Sequence, residues 1–443
     1  MKETGSCSII TPMQKRFRIL IGIAAVLALA VGLYYLPPVH SRLTWRIDDL
    51  RARVKYYFNP PEQALFLPTQ QSQVDSMVTA TLRALETPTP TATPLPSDLP
   101  TATPTVTPTP LPTYVILSGV KYEDQHNRWN YCGPANFSMA LTFWGWKGDR
   151  DVIGPAVKPN DKDKNVMPYE FRDYINEDVP GMSALIRMGG DLEVLKRLIA
   201  AGFPVVTEKG YYTYDYTGKY SWLGHYLFTT GYDDAQGIFV TQDTYLQPGK
   251  DRQVKYDEYL EGWRSFNYLF VVAYPSEREA DVLAALGPYA DETWAVKHAL
   301  QVAEQEAQSL TGNQQFFAWF NVGTSHVQLY EYFDAAVAYD QAFRLYANLS
   351  EDLRPYRIMW YQTWPYWAYY YTGRYQDVIQ LADTTLNDTI SEPVLEESLY
   401  WRGRAEVMIG DAPSAIKDYR ASLEIHPNFA PSIQALQELG LQP

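Results

Sequence analysis

Cysteine and histidine are scarce in this sequence, and their scarcity limits its chemistry. The 443 residues include two cysteines, Cys7 and Cys132, and six histidines. A predicted membrane span separates the two cysteines, so we expect no disulfide and predict that Cys132 carries a free thiol. No histidine has a metal-like spacing to a cysteine or to another histidine, and no Gly-x-x-x-x-Gly-Lys-Ser/Thr phosphate loop is present. We therefore predict neither a metal nor a cofactor.

Positive charge is also scarce, except at the start of the chain. The 37 Lys and Arg residues are outnumbered by 51 Asp and Glu residues, which gives a formal net charge of −14. Residues 1–55 nevertheless carry nine basic and three acidic residues, so the remainder has a net charge of −20. A body this acidic argues against nucleic acid as a partner. The basic start suits an anionic membrane surface.

One uncharged run is long enough to predict a membrane anchor. Residues 19–36 contain no charged side chain and follow a basic cluster at positions 15, 16 and 18. Eighteen residues is near the lower limit for a membrane-spanning helix. A cleavable signal peptide is the alternative, but no Ala-x-Ala-like site follows the run. We predict a cytoplasmic tail over 1–18 and a single transmembrane signal anchor over 19–36.

The segments after the predicted anchor differ sharply in composition. Residues 37–85 form a juxtamembrane region, in which 42–58 has the pattern of an amphipathic helix. Residues 86–113 repeat Thr-Pro units, which cannot form a packed core and predict a semi-rigid polyproline linker. Globular composition resumes at 114. We predict a domain over 114–276, a second over 277–443, and a location for both outside the cytoplasm, tethered to the cell membrane.

The stretch from 130 to 141 predicts a thiol at the start of a helix. Cys132 precedes Gly-Pro, and proline is favoured in the first turn of a helix. Apolar residues then recur at helical spacing, at Phe137, Ala140, Leu141 and Trp144. The positive end of the helix dipole favours a thiolate there. The alternative is that Cys132 is an ordinary small core residue.

Two polar residues lie in a predicted β-hairpin further along the chain. We predict short strands over 204–207, 226–232, 238–241 and 270–273. A turn centred on Asp234 would set His225 and Asp243 opposite each other, where side chains on one face lie about 5 Å apart. A carboxylate in that position orients an imidazole, which can then take the proton of a thiol. Each residue alone would ordinarily be structural.

The motifs together resemble a known family. Cys132 lies in Asn-x-Cys-Gly-Pro-Ala, His225 lies in Gly-His-Tyr, and Asp243 follows. This order resembles the bacteriocin-processing cysteine peptidases of the papain-like clan, in particular the stand-alone members that carry no transporter. The resemblance covers residues 114–275. It implies an α+β papain-like fold with Cys132 as nucleophile, His225 as general base and acid, and Asp243 as the residue that orients the imidazole.

The same resemblance implies an oxyanion hole. In that family a glutamine upstream of the cysteine contributes its side-chain amide, together with the cysteine N–H. Here Gln125 precedes Cys132 by seven residues, slightly more than the family pattern, and Asn127 is an alternative. Because no ATP-binding cassette motif follows, coupled peptide export is not implied for this chain.

Residues 277–443 predict an all-α domain built from repeats. One pattern of apolar and small residues recurs at offsets of 43 and 37 residues. Its positions are Ala335, Tyr339 and Ala342, then Val378, Ala382 and Thr385, then Ala415, Tyr419 and Ser422. The spacing resembles tetratricopeptide repeats, in which stacked helix pairs can bind a peptide or protein partner. A generic helical domain is the alternative.

The predicted function is hydrolysis of peptide bonds in a peptide or protein substrate by a membrane-anchored cysteine peptidase. Two alternatives stay open: an inactive binding scaffold, and acyl transfer by the same residues. The tyrosine-rich stretch 211–222 also has two interpretations. Its aromatic rings either wall a peptide cleft or pack as a hairpin on their own domain.

Overall fold

The computed structural model describes residues 12–69, 110–128, 130–160, 162–215 and 217–443. Cys7, the first eleven residues of the predicted tail, the end of the predicted juxtamembrane region and nearly all of the Thr-Pro linker lie outside the described residues. The chain divides into two compact units. One contains the N-terminal residues up to Asn59 and the turn at 217–218, and the other contains the rest from Pro60.

The first unit contains two helices, α1 (Pro12–Tyr34) and α2 (Pro37–Phe58). The Pro-Pro pair at 37–38 starts α2, because proline is accommodated in a first turn where its missing N–H costs nothing. The predicted helix at 42–58 is confirmed within α2. Among the residues that the structure describes, no helix is both long enough and apolar enough to cross a membrane. The anchor at 19–36 stays a prediction.

The second unit contains one antiparallel sheet. Its strands are β1 (Tyr114–Ile116), β2 (Met182–Arg187), β3 (Val205–Tyr214), β4 (Tyr220–Asp233), β5 (Ile238–Gln242), β6 (Arg252–Lys255) and β7 (Phe270–Pro275). The order across the sheet is β2-β7-β3-β4-β5-β6, and β1 pairs with the end of β4. The four predicted strands are confirmed within β3, β4, β5 and β7.

The hairpin of β3 and β4 is longer than predicted. Pairing continues from Val205 opposite Thr229 to Tyr214 opposite Tyr220. Thr and Tyr favour extended backbone and pack well across strands, which is why the ladder does not stop at residue 207. As a result His225 lies inside β4, not at the start of a strand as predicted.

Five helices lie between β1 and β7 in the described part of the chain. They are α3 (Cys132–Phe143), α4 (Arg150–Val157), α5 (Pro168–Asp178), α6 (Leu192–Ala200) and α7 (Tyr256–Arg264). The predicted apolar face of α3 is confirmed, since Phe137, Ala140 and Leu141 are fully buried. The helix predicted over 192–201 is confirmed as α6.

The chain from residue 279 onward is helical. Its helices are α8 (Glu279–Leu286), α9 (Glu292–Ser309), α10 (Gly312–Gln328), α11 (Tyr332–Asn348), α12 (Ile358–Tyr361), α13 (Trp364–Tyr371), α14 (Tyr375–Asp383), α15 (Glu396–Met408), α16 (Ala412–Ile425) and α17 (Ala430–Glu438). Consecutive long helices pack in contact with one another, so the region is a stack of helix pairs.

The predicted repeat positions are all buried. In two of the three repeat units, a glycine of one helix packs closely against a tyrosine ring of the next. A Cβ atom on Gly323 would lie 2.8 Å from the ring of Tyr339, and one on Gly403 would lie 2.7 Å from the ring of Tyr419. Both pairs are separated by sixteen residues. In the middle unit the corresponding positions hold Tyr366 and Ala382, so the large and small residues are exchanged. The helix-pair repeat is therefore present in the packing, and the tetratricopeptide assignment stays a prediction.

The sheet and the helical region are joined in one compact unit. Trp222 of β4 is 1% exposed and packs its ring against Phe266 and against Phe317 of α10. Arg357 forms a buried ion pair with Asp215 and donates 2.7 and 2.9 Å hydrogen bonds to the Ser221 hydroxyl and the Trp222 carbonyl. A boundary at residue 276 thus stays a prediction.

Part of the predicted juxtamembrane region also belongs to this unit. Phe66 is buried, with its ring 4.9 Å from that of Phe343 and 5.8 Å from that of Tyr369. Thr69 donates to the carboxylate of Asp377 from both its backbone N–H and its hydroxyl, each at 3.1 Å. Residues 60–69 therefore pack as part of the helical region.

Candidate active site

Cys132 is the first residue of α3 and is half-buried. The residue after it has to be glycine, because a Cβ atom on Gly133 would lie 2.6 Å from the ring of Phe171. One turn later, the Asn136 amide donates to the carbonyl oxygens of Cys132 and Tyr226, at 2.8 and 2.9 Å. These contacts hold the start of α3 against β4, next to His225.

The environment of the Cys132 thiol favours its ionised form. Burial raises the pKa of the thiol, but a hydrogen bond with His225 and the charge of that imidazole lower it more. Backbone hydrogen bonds at Tyr226 and Gly133 act in the same direction, so the net pKa is lowered. Hydrogen bonds to a charged form favour that form. The predicted activated thiol is consistent with this direction.

The predicted strand register around His225 is wrong, although the side chains of His225 and Asp243 are in contact. The ladder pairs Phe228 with Gln242, and β5 ends there. Asp243 is therefore one residue beyond β5, and following the register places it across from Leu227, not His225. A β-bulge after position 229 and a turn displaced from its predicted centre cause the shift. His225 and Asp243 are diagonal neighbours on one face, which long side chains can still bridge.

The imidazole of His225 lies against the carboxylate of Asp243. Nε2 of His225 is 3.2 Å from Oδ1 of Asp243, and both side chains are buried. The contact is an ion pair and not a well-aligned hydrogen bond, since Nε2 has no hydrogen-bond partner among the described residues. Oδ1 also accepts from the backbone N–H groups of Tyr245 and Leu246, at 2.9 and 2.8 Å. Because Nε2 faces Asp243, Nδ1 is the ring nitrogen left for the thiol.

The pKa shifts of these two groups have opposite signs. Burial lowers the pKa of His225, but the charge and proximity of Asp243, with a contribution from Cys132, raise it to about 9. Burial raises the pKa of Asp243, whereas His225 and the backbone N–H groups of Leu246 and Tyr245 lower it more, so the net shift is downward. At neutral pH the pair is therefore imidazolium and carboxylate.

Gln125 lies beside this pair, and Asn127 does not share its contacts. The backbone N–H of Gln125 donates to the carbonyl of Thr244 at 2.9 Å, and its Oε1 accepts from the Thr244 hydroxyl at 3.0 Å. Its Nε2 makes no hydrogen bond to a described residue and is free to donate. Asn127 is exposed, with a left-handed backbone φ of 66°. Of the two oxyanion candidates, Gln125 is the one held next to Asp243.

Two further residues beside the site escaped the sequence analysis. Glu208 of β3 is 2% exposed, and burial raises the pKa of its carboxyl well above the usual value, with a further rise from Cys132. Tyr361 of α12 lies close to β4, since a Cβ atom on Gly224 would be 3.1 Å from its ring; burial raises the pKa of its hydroxyl, and Cys132 raises it further. An acidic residue directly after the strand predicted over 204–207 was a usable signal for Glu208. Tyr361 gave none, because its approach depends on the packing of the helical region.

The tyrosine-rich stretch 211–222 fits neither interpretation as a whole. The ring of Tyr211 lies edge-on to His225 at 5.8 Å, so it borders the site. Tyr214 and Tyr220 pack on each other near the hairpin turn, with ring centroids 5.3 Å apart. Trp222 points into the core shared with α10. The β3–β4 hairpin thus supplies a wall of the site, a contact between its own strands and an anchor to the helical region.

Two groups of ligand-type side chains come together within the described parts of the chain, although no spacing in the sequence indicated them. In each group the ligand atoms lie within 4.8 Å of one another. The first group is Glu170, Glu396 and His426, and the second group is His326, Glu331 and Asp334. The first joins α5 to the helical region, and its members are far apart in sequence.

A thiol at a helix start, beside a buried imidazole and carboxylate on an antiparallel sheet, is the arrangement of a cysteine-peptidase-like fold. Comparison with known families agrees with this class. Residues 117–271 match the model of the Peptidase_C39 like family, so this segment is similar to papain-like C39 peptidases. No curated protein matches the chain.

Proposed function

We propose that this protein is a cysteine peptidase that hydrolyses peptide bonds, with Cys132 as nucleophile and His225 as general base and acid. Asp243 orients the imidazole, and the Cys132 N–H and the Gln125 side-chain amide form the oxyanion hole. The single observation that carries the proposal is the buried contact of His225 with Asp243 beside the start of α3, whose first residue is Cys132. Similarity to C39-like peptidases supports the same substrate class, a peptide or protein.

The proposed reaction begins with the thiolate and the imidazolium. Sγ of Cys132 attacks the scissile carbonyl carbon, and the oxygen gains negative charge that the two N–H donors stabilise. The tetrahedral intermediate collapses as His225 gives its proton to the leaving amine, which produces a thioester. His225, now neutral, takes a proton from water, which attacks the thioester and releases the acid. The imidazolium and thiolate are then restored.

The test is peptide hydrolysis by single variants of the full chain. Cys132→Ala should be inactive, and His225→Ala nearly so, because nothing else can protonate the leaving amine. Asp243→Ala should lose less, since an orienting group costs less than the nucleophile or base, and Gln125→Ala should lose least. Hydrolysis that persists in a folded Cys132→Ala protein would exclude the mechanism.

The wild-type protein and the same single variants also distinguish two alternative functions. An inactive scaffold would bind peptide without turnover, and the imperfect alignment of Nε2 on Asp243 is the observation in its favour. Acyl transfer would use the same thioester but pass the acyl group to an amine in place of water. Product analysis by mass spectrometry in the presence of a free amine separates transfer from hydrolysis.

We further propose that residues 19–36 anchor the protein in the cell membrane, with residues 86–443 outside the cytoplasm. The uncharged run and the basic cluster before it support this arrangement. In the same way, the stacked helix pairs support binding of a substrate or a protein partner by tetratricopeptide-like repeats. Protease treatment of intact cells should release the body by cutting near the Thr-Pro linker, and a body protected until lysis would contradict this topology.

A further inference from the structure

A cavity of about 490 Å³ lies between the sheet and the helical region. Its volume is in the range of pockets that bind small ligands. Glu208, Met188 and Leu269 line it from the sheet side, and Tyr361 and Trp367 line it from the helices. A Cβ atom on Gly224, the residue before His225, would lie 3.1 Å from the ring of Tyr361, so the cavity begins beside the candidate active site.

Glu208 is a buried acid without an ion-pair partner among the described residues. It is 2% exposed, and burial raises its pKa more than the nearby charge of His225 lowers it. Buried charged groups are ordinarily paired, because removing an unpaired charge from water is costly. Burial accordingly raises the pKa of this carboxyl well above its usual value. A cation entering the cavity would remove that cost.

The basic residues around the cavity do not pair with Glu208. The guanidinium of Arg187 donates to three backbone carbonyls and lies near the exposed carboxylate of Glu292. Arg172 is paired with Asp173. Glu397 is 8% exposed, and burial raises its pKa to about 8. Burial thus favours the protonated form of both Glu208 and Glu397, and a cation in the cavity would favour their carboxylate forms.

The wall supplied by the helices is aromatic. Trp364, Trp367 and Trp401 all line the cavity, and the rings of Trp367 and Trp401 lie 4.9 Å apart. Tryptophan faces attract cations as well as apolar groups. A guanidinium or ammonium on an apolar stem has the same two-part character: a charged end for the carboxylates and a stem for the rings.

We propose that this cavity receives the side chain of an arginine or lysine in the peptide substrate, with Glu208 as its counter-ion and the tryptophan wall around its stem. The assignment of that ligand as a substrate rests on the peptidase function proposed above. The helical region then takes part in substrate selection, because it supplies the aromatic side of the cavity.

The experiment compares arginine with citrulline, its uncharged analogue of nearly equal shape. Capped heptapeptide pools carry one arginine, or one citrulline, at each position in turn. Binding is measured by calorimetry on the full chain carrying Cys132→Ala, so that turnover is not required. We expect arginine pools to bind at least about tenfold more tightly, as for a charge-assisted hydrogen bond. Glu208→Gln should reduce that ratio to within about threefold.

Glu292→Gln is the matched control, because it makes the same substitution at the exposed rim of the cavity, where Arg187 already balances the charge. It should leave the ratio unchanged. Any of three results would overturn the inference. They are a wild-type ratio near one, a ratio that Glu208→Gln leaves unchanged, and no binding of either pool at millimolar concentration.

Hydrolysis by the protein with Cys132 intact separates this inference from the proposed function. Cys132-dependent cleavage without preference for arginine would leave the peptidase standing and refute the basic subsite. Selective binding of arginine without any cleavage would uphold the cavity's preference for a cation and refute the peptidase.

Discussion

Buried charges are handled differently in the helical region and in the sheet. In the helices, the Arg374 guanidinium donates to both oxygens of Asp340, at 2.6 and 2.9 Å, and to Asp377 at 2.7 Å. In the sheet, His225 meets Asp243 without an aligned hydrogen bond, and burial raises the pKa of the Glu208 carboxyl well above its usual value. The Arg374 cluster of the helical region is fully paired, whereas the charged groups beside the candidate site are incompletely paired.

This difference separates charges that hold the fold from charges that are available for chemistry. A buried ion offsets its desolvation only when its hydrogen bonds are made, so fully paired groups are structural. Perturbed and incompletely paired groups in a cleft are candidates for function. If the comparison is sound, changes in the sheet should affect activity and changes in the helices should affect stability.

After loss of the nucleophile itself, the largest effect on activity is expected from His225→Gln. Glutamine keeps a donor for Asp243 but cannot exchange a proton, so turnover should fall by about 10⁴-fold or more. The free energy of unfolding should change by only about 1–2 kcal/mol. Peptide hydrolysis and urea unfolding check both. The same substitution at His326, in the helical region, is the control and should leave turnover unchanged.

The largest effect on stability is expected from Arg374→Met. Removing this guanidinium leaves Asp340 and Asp377 buried without their counter-charge, which should cost about 3–5 kcal/mol of unfolding free energy. Turnover per folded molecule should not change. Arg404→Met is the matched control, because Arg404 pairs with Glu438 near the surface and should cost about 1 kcal/mol or less. Equal losses for the two variants would contradict the comparison.

A smaller stability effect is expected from Gly403→Ala. In a helix this change ordinarily stabilises by up to about 1 kcal/mol. Here the added methyl would lie 2.7 Å from the ring of Tyr419, so we expect a net loss of about 1–3 kcal/mol. The sign of the shift in melting temperature is the measurement. A higher melting temperature would show that the repeat contact can relax without cost.

The smallest effect concerns the alkylation rate of Cys132. An unperturbed thiol is only about 0.3% ionised at pH 6. Because the pKa of Cys132 is lowered, iodoacetamide should react at least about tenfold faster than with a free cysteine at that pH. The advantage should fade as the pH approaches about 8.5, where free cysteine itself ionises, and the His225 imidazolium then loses its proton near pH 9. His225→Gln should abolish it, and a wild-type thiol that titrates like free cysteine would favour the inactive scaffold.

Local signals predicted much of this architecture. Gly-Pro after Cys132 and the spacing of Phe137, Ala140 and Leu141 were sufficient for α3, because helix start and periodicity are properties of adjacent residues. The hairpin carrying His225 and Asp243 was also predicted, but its register was not. A bulge of one residue depends on packing across the sheet, and the strand pattern alone does not contain it.

By itself, the sequence determined the elements, their repeat and the chemical types of the candidate site: a thiol, an imidazole, a carboxylate and an amide. Tertiary structure decided which groups meet. Glu208 and Tyr361 are 153 residues apart in sequence, yet both line the cavity beside Cys132. Such contacts arise because the apolar faces of sheet and helices must be buried against each other. That requirement acts on whole surfaces, and it leaves no local pattern in the chain.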